Sequence, residues 1–184
     1  MPSIQSEFYS QIEAVNDTLP DIDAWDPPLS GDMDCVIKSN GRWQIDGVDV
    51  SNKRLVRLFS TVLKRENDDY FLLTPQEKWR IKVDDLPFIV IELNTINAGT
   101  NVQIIRARTN VGDVITIDAL HPLTTSPLPD AADSQLIPIV TIRSNLQARF
   151  NRNTYMEIAT LLESLDKENQ YSLMSANNKF TLNF

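Results

Sequence analysis

Apolar residues along the chain recur with two different periods, and the changes of period mark the predicted elements. Residues 3–17, the stretch SNKRLVRLFSTVLKRE (51–66) and the stretch NTYMEIATLLESLD (153–166) repeat apolar residues every three or four positions. This spacing is typical of amphipathic helices. We therefore predict three helices, with Ser51 or Asn52 capping the second.

Short runs rich in β-branched and aromatic residues lie between these helices and predict strands. The runs are CVI, RWQI, YFLLT, EKWRIKV, FIVIELNT, VQIIRART, VITIDAL, PIVTIR, LQARF, YSLMS and KFTLNF. The dipeptide Asn40-Gly41 favours a type I′ hairpin turn between the first two runs. The segment HPLTTSPLPDAADSQLIP (121–138) is rich in proline and small polar residues, so it predicts a long exposed loop or a boundary between lobes.

The second helix with its following hairpin matches the third helix with its own hairpin. An offset of 100 places Leu55 on Tyr155, and an offset of 101 places Tyr70 on Tyr171. A shared binary pattern is the alternative explanation of such a match. The match predicts an α+β fold of two similar lobes, each a helix with a curved antiparallel sheet. The expected division is an N-terminal helix and connector (1–24), a first lobe (25–95) and a second lobe (96–184).

Composition and charge narrow the class of protein. The 184 residues are 42% hydrophobic and 23% charged, as in an ordinary globular protein, and the net charge is −8. This charge argues against non-specific binding to nucleic acid or to anionic membranes. The single cysteine excludes an intrachain disulfide, and the N-terminus lacks the features of a signal peptide. No apolar run approaches the roughly 20 residues of a membrane span, so we predict a cytoplasmic protein.

Few residue types that carry metal or nucleophilic chemistry are present. Cys35 and His121 are the only residues of their kinds, too few for an ordinary zinc site, and they would form a pair only if folding brought them together. The acidic residues between positions 17 and 34 lack the spacing of a calcium loop, and the isolated glycines form no phosphate-binding loop. We predict neither a metal nor a cofactor.

Arginines are concentrated in two segments that contain no acidic residue, 93–112 and 134–156. They are Arg106, Arg108, Arg143, Arg149 and Arg152. Because a guanidinium donates several hydrogen bonds to a carboxylate or phosphate, folding could gather these side chains into an anion-binding site. The alternative is that they pair with carboxylates on neighbouring strands.

Carboxylates suited to acid–base chemistry are the second candidates. Glu77 and Asp85 lie in LLTPQEKWRIKVDDLPF, the densest mixture of polar and aromatic residues, and Asp113 lies in a later loop. Proton transfer by one of them would require a second catalytic group beside it. Turn formation and ion pairing are the alternative roles.

Several of these motifs resemble a bacterial family described as domain of unknown function 1285. The similar segments are NGRWQIDG, RLVRLFSTVLKRE, LLTPQEKWRIKVDDLPF, RTNVGDVITID, HPL and IRSNLQARFNRNTYMEI, and the resemblance covers residues 25–184. It implies two similar strand-and-helix motifs around a helical core, no established activity, and a signalling or ligand-sensing role. SANNKF stands where the family's pattern implies a glycine-containing turn. The positions that match the family's motifs are Trp43, Arg57, Thr74, Pro75, Glu77, Lys78, Asp85, Pro87, Phe88, Thr109, Asn110, Asp113, His121, Arg143 and Arg152.

The leading hypothesis is a non-enzymatic regulatory or signalling module that binds a small anionic ligand or a protein partner. The alternatives are a carboxylate-dependent enzyme of unknown reaction and a purely structural interaction protein. A homodimer formed through the N-terminal helix is a further hypothesis. No catalytic residue can be assigned. The candidate ligand-binding residues are Arg106, Arg108, Arg143, Arg149, Arg152, Asn110, Glu77, Lys78, Trp43 and Arg57.

Overall fold

Strands dominate the computed structural model of the protein. The structure describes residues 20–128, 135–165 and 169–184, and within these ranges it has 15 strands and two α-helices. The chain divides into two compact units, Met1–Asp84 and Asp85–Phe184. The helix predicted at 3–17, with its role in a homodimer, lies outside the described residues.

The first unit contains a six-stranded mixed sheet with the order β3-β2-β1-β6-β5-β4. Each half of this sheet is an antiparallel meander, and the parallel pair β1–β6 joins the halves. Its core contains Ile37, Trp43, Phe59 and Leu72, each at most 1% exposed. The elements are a 3-10 helix Ile22–Ala24, β1 Leu29–Ile37, β2 Trp43–Ile45, β3 Val48–Asp49, α1 Lys53–Thr61, β4 Leu63–Glu66, β5 Asp69–Leu73 and β6 Lys78–Val83.

Helix α1 is shorter than its sequence predicts. Asn52 caps it, because its Oδ1 accepts hydrogen bonds from the backbone N–H groups of residues 54 and 55 at 3.0 and 3.2 Å. The hydroxyls of Ser60 and Thr61 donate hydrogen bonds to the backbone carbonyls three residues earlier, at 2.6 and 2.7 Å. The helix ends there, and Leu63–Glu66 pairs with β5 as a strand. The prediction of a helix through residue 66 is wrong because pairing in the sheet overrides the local helical pattern.

The hairpin β1–β2 forms, with Ile37 opposite Trp43, but its turn is not of type I′. A type I′ turn requires a positive φ at both central residues, and only Gly41, at φ 77°, has one. The N–H of Lys38 donates to the carbonyl of Arg42 at 2.8 Å, which closes a longer loop ending in the left-handed glycine.

The second unit contains a six-stranded mixed sheet and a smaller three-stranded sheet. The order of the larger is β10-β11-β12-β7-β8-β9, with the parallel pair β12–β7 at its centre, and that of the smaller is β13-β14-β15. The elements are β7 Phe88–Ile96, β8 Ile104–Thr109, β9 Val114–Thr116, β10 Leu123–Pro127, β11 Leu136–Arg143, β12 Leu146–Phe150, α2 Arg152–Leu161, β13 Glu163–Ser164, β14 Gln170–Ser175 and β15 Asn178–Asn183. Part of the predicted loop at 121–138 is therefore strand, with Thr125 opposite Pro138.

Helix α2 is fixed to the larger sheet at its first turn. Asn151 caps it through a hydrogen bond from the Thr154 N–H at 2.9 Å. The buried hydroxyl of Thr154 donates to the Val90 carbonyl on β7 at 3.0 Å, and the Asn151 N–H donates to the same carbonyl at 3.1 Å. Ile158, one turn later, is fully buried. These contacts determine which face of α2 points away from the sheet.

The predicted fold of two helix-plus-sheet lobes around a helical core is wrong, because the described chain is mostly sheet. The matched hairpins do pair in equivalent registers, with Tyr70 opposite Ile81 and Tyr171 opposite Leu182. However, β6 also pairs with β1 in a mixed sheet, whereas β15 ends a separate three-stranded sheet. The helices are 9 and 10 residues long and form no central core. Parallel pairing joins strands distant in sequence, so local periodicity does not reveal it.

Candidate functional site

A cleft lined by described residues lies in the second unit. Its volume is about 520 Å³, within the range of about 300–1,000 Å³ typical of small-molecule sites. Helix α2, the start of β11 and the hairpin β14–β15 with its flanking residues form its walls. The lining residues are Gln135, Leu136, Tyr155, Ala159, Leu162, Asn169, Tyr171 and Phe184.

One wall of the cleft is a single face of α2. Tyr155 and Ala159 lie four positions apart, so their side chains share one face of the helix, and Leu162 follows directly after its last residue. The adjacent stripe, which contains Ile158, is buried against the sheet. Met156 is 58% exposed and does not line the cleft. Anchoring of α2 by its buried stripe therefore presents Tyr155 to the cavity.

A second part of the lining is aromatic. Tyr171 on β14 and Phe184 after β15 meet edge to face, with ring centroids 5.6 Å apart and an interplanar angle of 70°. The Phe184 N–H donates to the Asn169 carbonyl at 2.9 Å, which holds the two ends of the hairpin together. Asn169 adopts φ 56°, a left-handed conformation that asparagine tolerates better than most residues. The hairpin thus holds both rings beside the helix.

The lining combines apolar and neutral polar groups. None of the eight lining residues carries a charged side chain. The hydroxyls of Tyr155 and Tyr171 make no hydrogen bond to any described residue, and neither do the side-chain amides of Gln135 and Asn169. Pockets that bind small molecules typically combine an apolar lining with a few polar groups of this kind. The cleft can therefore surround a small molecule and offer it neutral hydrogen-bonding groups.

A smaller cavity of about 270 Å³ shares Leu162 with the cleft. Gln103, which is 6% exposed, forms part of its wall. Its side chain accepts a hydrogen bond from the Gly99 N–H at 2.8 Å and donates one to the Met174 carbonyl at 2.7 Å. Both polar ends of Gln103 are thus engaged within the fold, and the larger cleft has more space and more available polar groups.

Two predicted arginines form ion pairs at the end of the larger sheet. Arg143 contacts the buried carboxylate of Asp113 at 2.5 Å and lies 4.9 Å from the centre of the Phe88 ring. Arg149 donates to both carboxylate oxygens of Asp85 through its Nε and one terminal nitrogen. Two carboxylates considered for proton transfer are thus bonded to cations.

The other predicted arginines of the second unit are exposed. Arg108 pairs with Glu92 on the neighbouring strand. Arg106 on β8 and Arg152 at the start of α2 make no ion pair with a described residue. No contact in the described chain gathers these arginines into one site. The anion site stays a prediction, with Arg106 and Arg152 as its available cations.

The family-matched polar residues around β7 and β9 form turns. Asn110 exchanges hydrogen bonds with Ile89, accepting at its Oδ1 from the Ile89 N–H at 2.9 Å and donating its own N–H to the carbonyl at 2.8 Å. The Thr109 hydroxyl accepts from the Asp113 N–H at 3.0 Å. Pro87 and Phe88 are buried at the start of β7. These residues shape the end of the sheet.

His121 belongs to a turn organised by Asp118. The carboxylate of Asp118 accepts the N–H groups of Leu120 and His121 at 2.9 Å and lies 3.1 Å from the imidazole Nδ1. Burial acts to raise the pKa of Asp118, but the hydrogen bonds from His121 and Leu120 outweigh it and leave the pKa below its ordinary value. The histidine therefore has a structural partner.

The predicted site residues of the first unit make separate local contacts. Thr74 is buried, and its hydroxyl accepts the Glu77 N–H at 2.9 Å in the turn that contains Pro75. The Oε2 of Glu77 is buried and has no hydrogen-bond partner among the described residues. Lys78 pairs with Glu66 across the sheet. Trp43 stacks on Phe59 at 6.0 Å, and Arg57 lies half-buried on α1.

None of the predicted site residues lines the cleft, so sequence reasoning missed it. Tyr155 and Tyr171 were interpreted as members of matching apolar stripes, the usual role of an aromatic residue at such a position. A tyrosine side chain joins an apolar ring to a hydroxyl, which suits a position partly open to solvent. This property was the feature of the sequence that could have indicated a site at these residues. Periodicity does not show which stripe of a helix remains uncovered.

The described ranges lack clustered metal ligands and a membrane-spanning helix, and Cys35 is buried. No group of three or more histidine, cysteine or carboxylate side chains is placed to hold a metal ion. None of the helices there combines the length and apolar character that crossing a membrane requires. Cys35 is fully buried, and desolvation by burial, followed by the nearby Asp34 and Asp46, raises the pKa of its thiol to about 12.

Comparison with known proteins places the chain in a family. Residues 20–86 match the model described as "Domain of unknown function (DUF1285), N-terminal domain", and residues 87–182 match "Protein of unknown function (DUF1285), C-terminal domain". A comparison with the curated proteins finds no match.

Two solved structures of DUF1285 family proteins are similar to this chain. The protein from Silicibacter pomeroyi DSS-3 is 30% identical with a TM-score of 0.83, over 94% of this chain and 92% of that one. The protein from Shewanella baltica OS155 is 20% identical with a TM-score of 0.53, over 70% of this chain and 91% of that one, which shows the shared fold alone. The resemblance found in the sequence motifs is confirmed, and the chain belongs to the DUF1285 family, whose function is unknown.

Proposed function

We propose that this protein is a non-enzymatic regulatory module that binds a small molecule in the cleft of its second unit. The observation that carries the proposal is a cavity of about 520 Å³ whose lining contains aromatic, aliphatic and neutral polar side chains. Such a lining can bind a ligand through burial and a few hydrogen bonds. None of its described lining residues has a carboxylate, imidazole, thiol or amine side chain to transfer a proton or form a covalent bond.

The enzyme alternative has weaker support because its candidate carboxylates are engaged elsewhere. Asp85 is bonded to Arg149 and Asp113 to Arg143, so proton transfer by either would first require breaking an ion pair. Glu77, with its unpartnered Oε2, is the carboxylate on which this alternative rests. None of the three lines the cleft. Binding without catalysis is therefore the function that this geometry supports best.

Cleft binding can be tested by ligand-observed NMR, screening the full chain against a library of neutral, anionic and cationic small molecules. The informative variant is Ala159→Trp, which places an indole in the cleft from a side chain exposed on the helix. Its matched control is Met156→Trp, which introduces the same residue on the same helix outside the lining. We expect hits that Ala159→Trp abolishes and Met156→Trp retains. A screen in which every hit binds all three proteins equally would reject the cleft as the site.

The anionic-ligand version of the hypothesis can be examined in the same screen. Arg106 is exposed on β8 and makes no ion pair with a described residue, whereas Arg108 on the same strand is paired with Glu92. If an anion binds at β8, Arg106→Ala weakens its binding more than Arg108→Ala. Anion hits that neither substitution affects would remove this site from consideration.

A further inference from the structure

We infer that the cleft of the second unit binds an uncharged aromatic molecule that carries a hydrogen-bonding substituent. The inference rests on the proposed function, since it names the ligand class of that same cleft. Three features of the described lining residues carry it: none has a charged side chain, Tyr155, Tyr171 and Phe184 have aromatic rings, and several have available neutral polar groups.

The uncharged side chains of the described lining residues select against ionised ligands. A charged group that enters the cleft gives up hydration and finds no side chain of opposite charge among these residues. The chain as a whole has a net charge of −8, which further disfavours the approach of an anion. A neutral ligand incurs neither cost. The electrostatics of the cleft therefore favour an uncharged molecule.

The aromatic walls favour a planar ring over an aliphatic one. Tyr155 lies on α2, whereas Tyr171 on β14 and Phe184 after β15 form an edge-to-face pair that also lines the cleft. A ligand ring in the cleft can make further edge-to-face or offset-stacked contacts with these rings, which contribute beyond the burial of area. An aliphatic ring of the same size gains the burial but not this electrostatic contribution.

The polar groups of the lining favour a ligand with its own hydrogen-bonding substituent. The hydroxyls of Tyr155 and Tyr171 and the side-chain amides of Gln135 and Asn169 have no hydrogen-bond partner among the described residues, and all four residues border the cavity. Each can donate as well as accept a hydrogen bond. A neutral amide or hydroxyl on the ligand ring therefore finds a complementary group without any ion pair.

Four small probes of nearly equal size separate these contributions. Benzamide is neutral and aromatic, benzoate replaces its amide with an anion, benzamidine replaces it with a cation, and cyclohexanecarboxamide keeps the amide on an aliphatic ring. Each is titrated into the full chain and followed by chemical shift changes of the backbone amides. We expect benzamide to bind roughly tenfold more tightly than either charged probe, and about three- to tenfold more tightly than cyclohexanecarboxamide.

Variants at Tyr155 test the role of the ring separately from that of the hydroxyl. Tyr155→Leu removes both the ring and the hydroxyl, so it should weaken the binding of benzamide about three- to tenfold more than that of cyclohexanecarboxamide and thereby narrow the preference between them. Tyr155→Phe retains the ring and should keep the preference for benzamide over the aliphatic probe. Tyr155 lies on the outer stripe of α2, and the buried Ile158 is untouched, so both variants are expected to fold.

The outcomes distinguish this inference from the proposed function. If benzoate, benzamidine or cyclohexanecarboxamide binds at least as tightly as benzamide, and Ala159→Trp abolishes that binding, the ligand class is wrong and the cleft is still a binding site. If no probe binds in a manner that Ala159→Trp abolishes and Met156→Trp retains, both the ligand class and the proposed function are rejected. The ligand class and the proposed function are both supported if benzamide binds most tightly, Ala159→Trp abolishes its binding and Tyr155→Leu reduces the preference for it.

Discussion

Replacing Arg149 with methionine is expected to destabilise the second unit strongly. Arg149 donates two hydrogen bonds to Asp85, and the two side chains are only 13% and 9% exposed. Methionine fills similar space but leaves the Asp85 carboxylate buried without its cation. Removing one partner of a buried ion pair typically costs about 3–5 kcal/mol, because the remaining charge is desolvated and uncompensated. We expect the free energy of unfolding of Arg149→Met to fall by about that amount.

Arg108→Met is the matched control for this substitution. Arg108 also donates to a carboxylate through Nε and a terminal nitrogen, but its side chain is 48% exposed and that of Glu92 is 56% exposed. Solvent screens such a pair, and its loss usually costs less than about 1 kcal/mol. The two substitutions therefore remove chemically similar ion pairs that differ in burial.

Urea denaturation at neutral pH measures both effects, provided that the probe reports on the second unit. All three tryptophans, Trp25, Trp43 and Trp79, belong to the first unit, so their fluorescence reports on that unit. Methyl resonances of the buried Ala148 and Ile117 report on the second. We expect Arg149→Met to lower the denaturation midpoint followed by these methyl groups far more than Arg108→Met does.

A double substitution tests the physical cause. In Asp85→Leu/Arg149→Met both charges are absent, and replacing a buried ion pair by apolar residues is often neutral or stabilising. We expect the double variant to recover most of the stability that Arg149→Met loses. Equal destabilisation by Arg149→Met and Arg108→Met, or a double variant as unstable as the single one, would refute the explanation based on an unpaired buried carboxylate.

Three further predictions concern single residues outside the cleft. The buried Cys35, with its thiol pKa raised to about 12, should not react with a disulfide reagent at neutral pH until urea unfolds the first unit, and fast reaction of the native protein would contradict this burial. Asn151→Ala should lower the free energy of unfolding of the second unit by about 1 kcal/mol in urea denaturation, whereas Asn151→Asp, which keeps an acceptor for the Thr154 N–H, should preserve it. Folding lowers the pKa of Asp118 below its ordinary value of 3.8, so the ionised carboxylate contributes to the free energy of unfolding above that pH. This contribution is lost as the pH falls through the lower folded pKa. The stability difference between wild type and Asp118→Asn should therefore narrow between about pH 5 and pH 2. A difference that widens over this interval would contradict that sign.

Tertiary pairing explains why the predicted fold class failed although the strands were found. The hairpin registers, such as Tyr70 opposite Ile81, depend on residues close in sequence, and local patterns determine them. The parallel pair β1–β6 joins segments about 50 residues apart, and the Lys78 N–H donates a hydrogen bond to the Ser30 hydroxyl across 48 positions. No periodic pattern specifies that partner. The mixed sheets that result replace the predicted separate antiparallel ones.

The arginines of the two acid-free segments likewise have partners that are distant in sequence. Their lack of acidic residues suggested arginines available for an anion. However, Arg149 finds Asp85 at a separation of 64 positions, and Arg143 finds Asp113 at a separation of 30. The carboxylates lie outside the segments that were compared. Only the folded sheet places them beside the arginines.

The amino-acid sequence by itself determined the family, most of the strands, the presence of the two described helices and the cap of the first at Asn52, although both helices end earlier than predicted. These features depend on alternation, helical spacing and side chains that bond to backbone groups a few positions away. The tertiary structure alone decided the mixed sheet topology, the partner of each buried arginine and the cleft. The cleft requires Gln135, Tyr155, Tyr171 and Phe184 from four separate segments to meet around one cavity. Concavity is a property of packed elements, and the order of residues along the chain does not contain it.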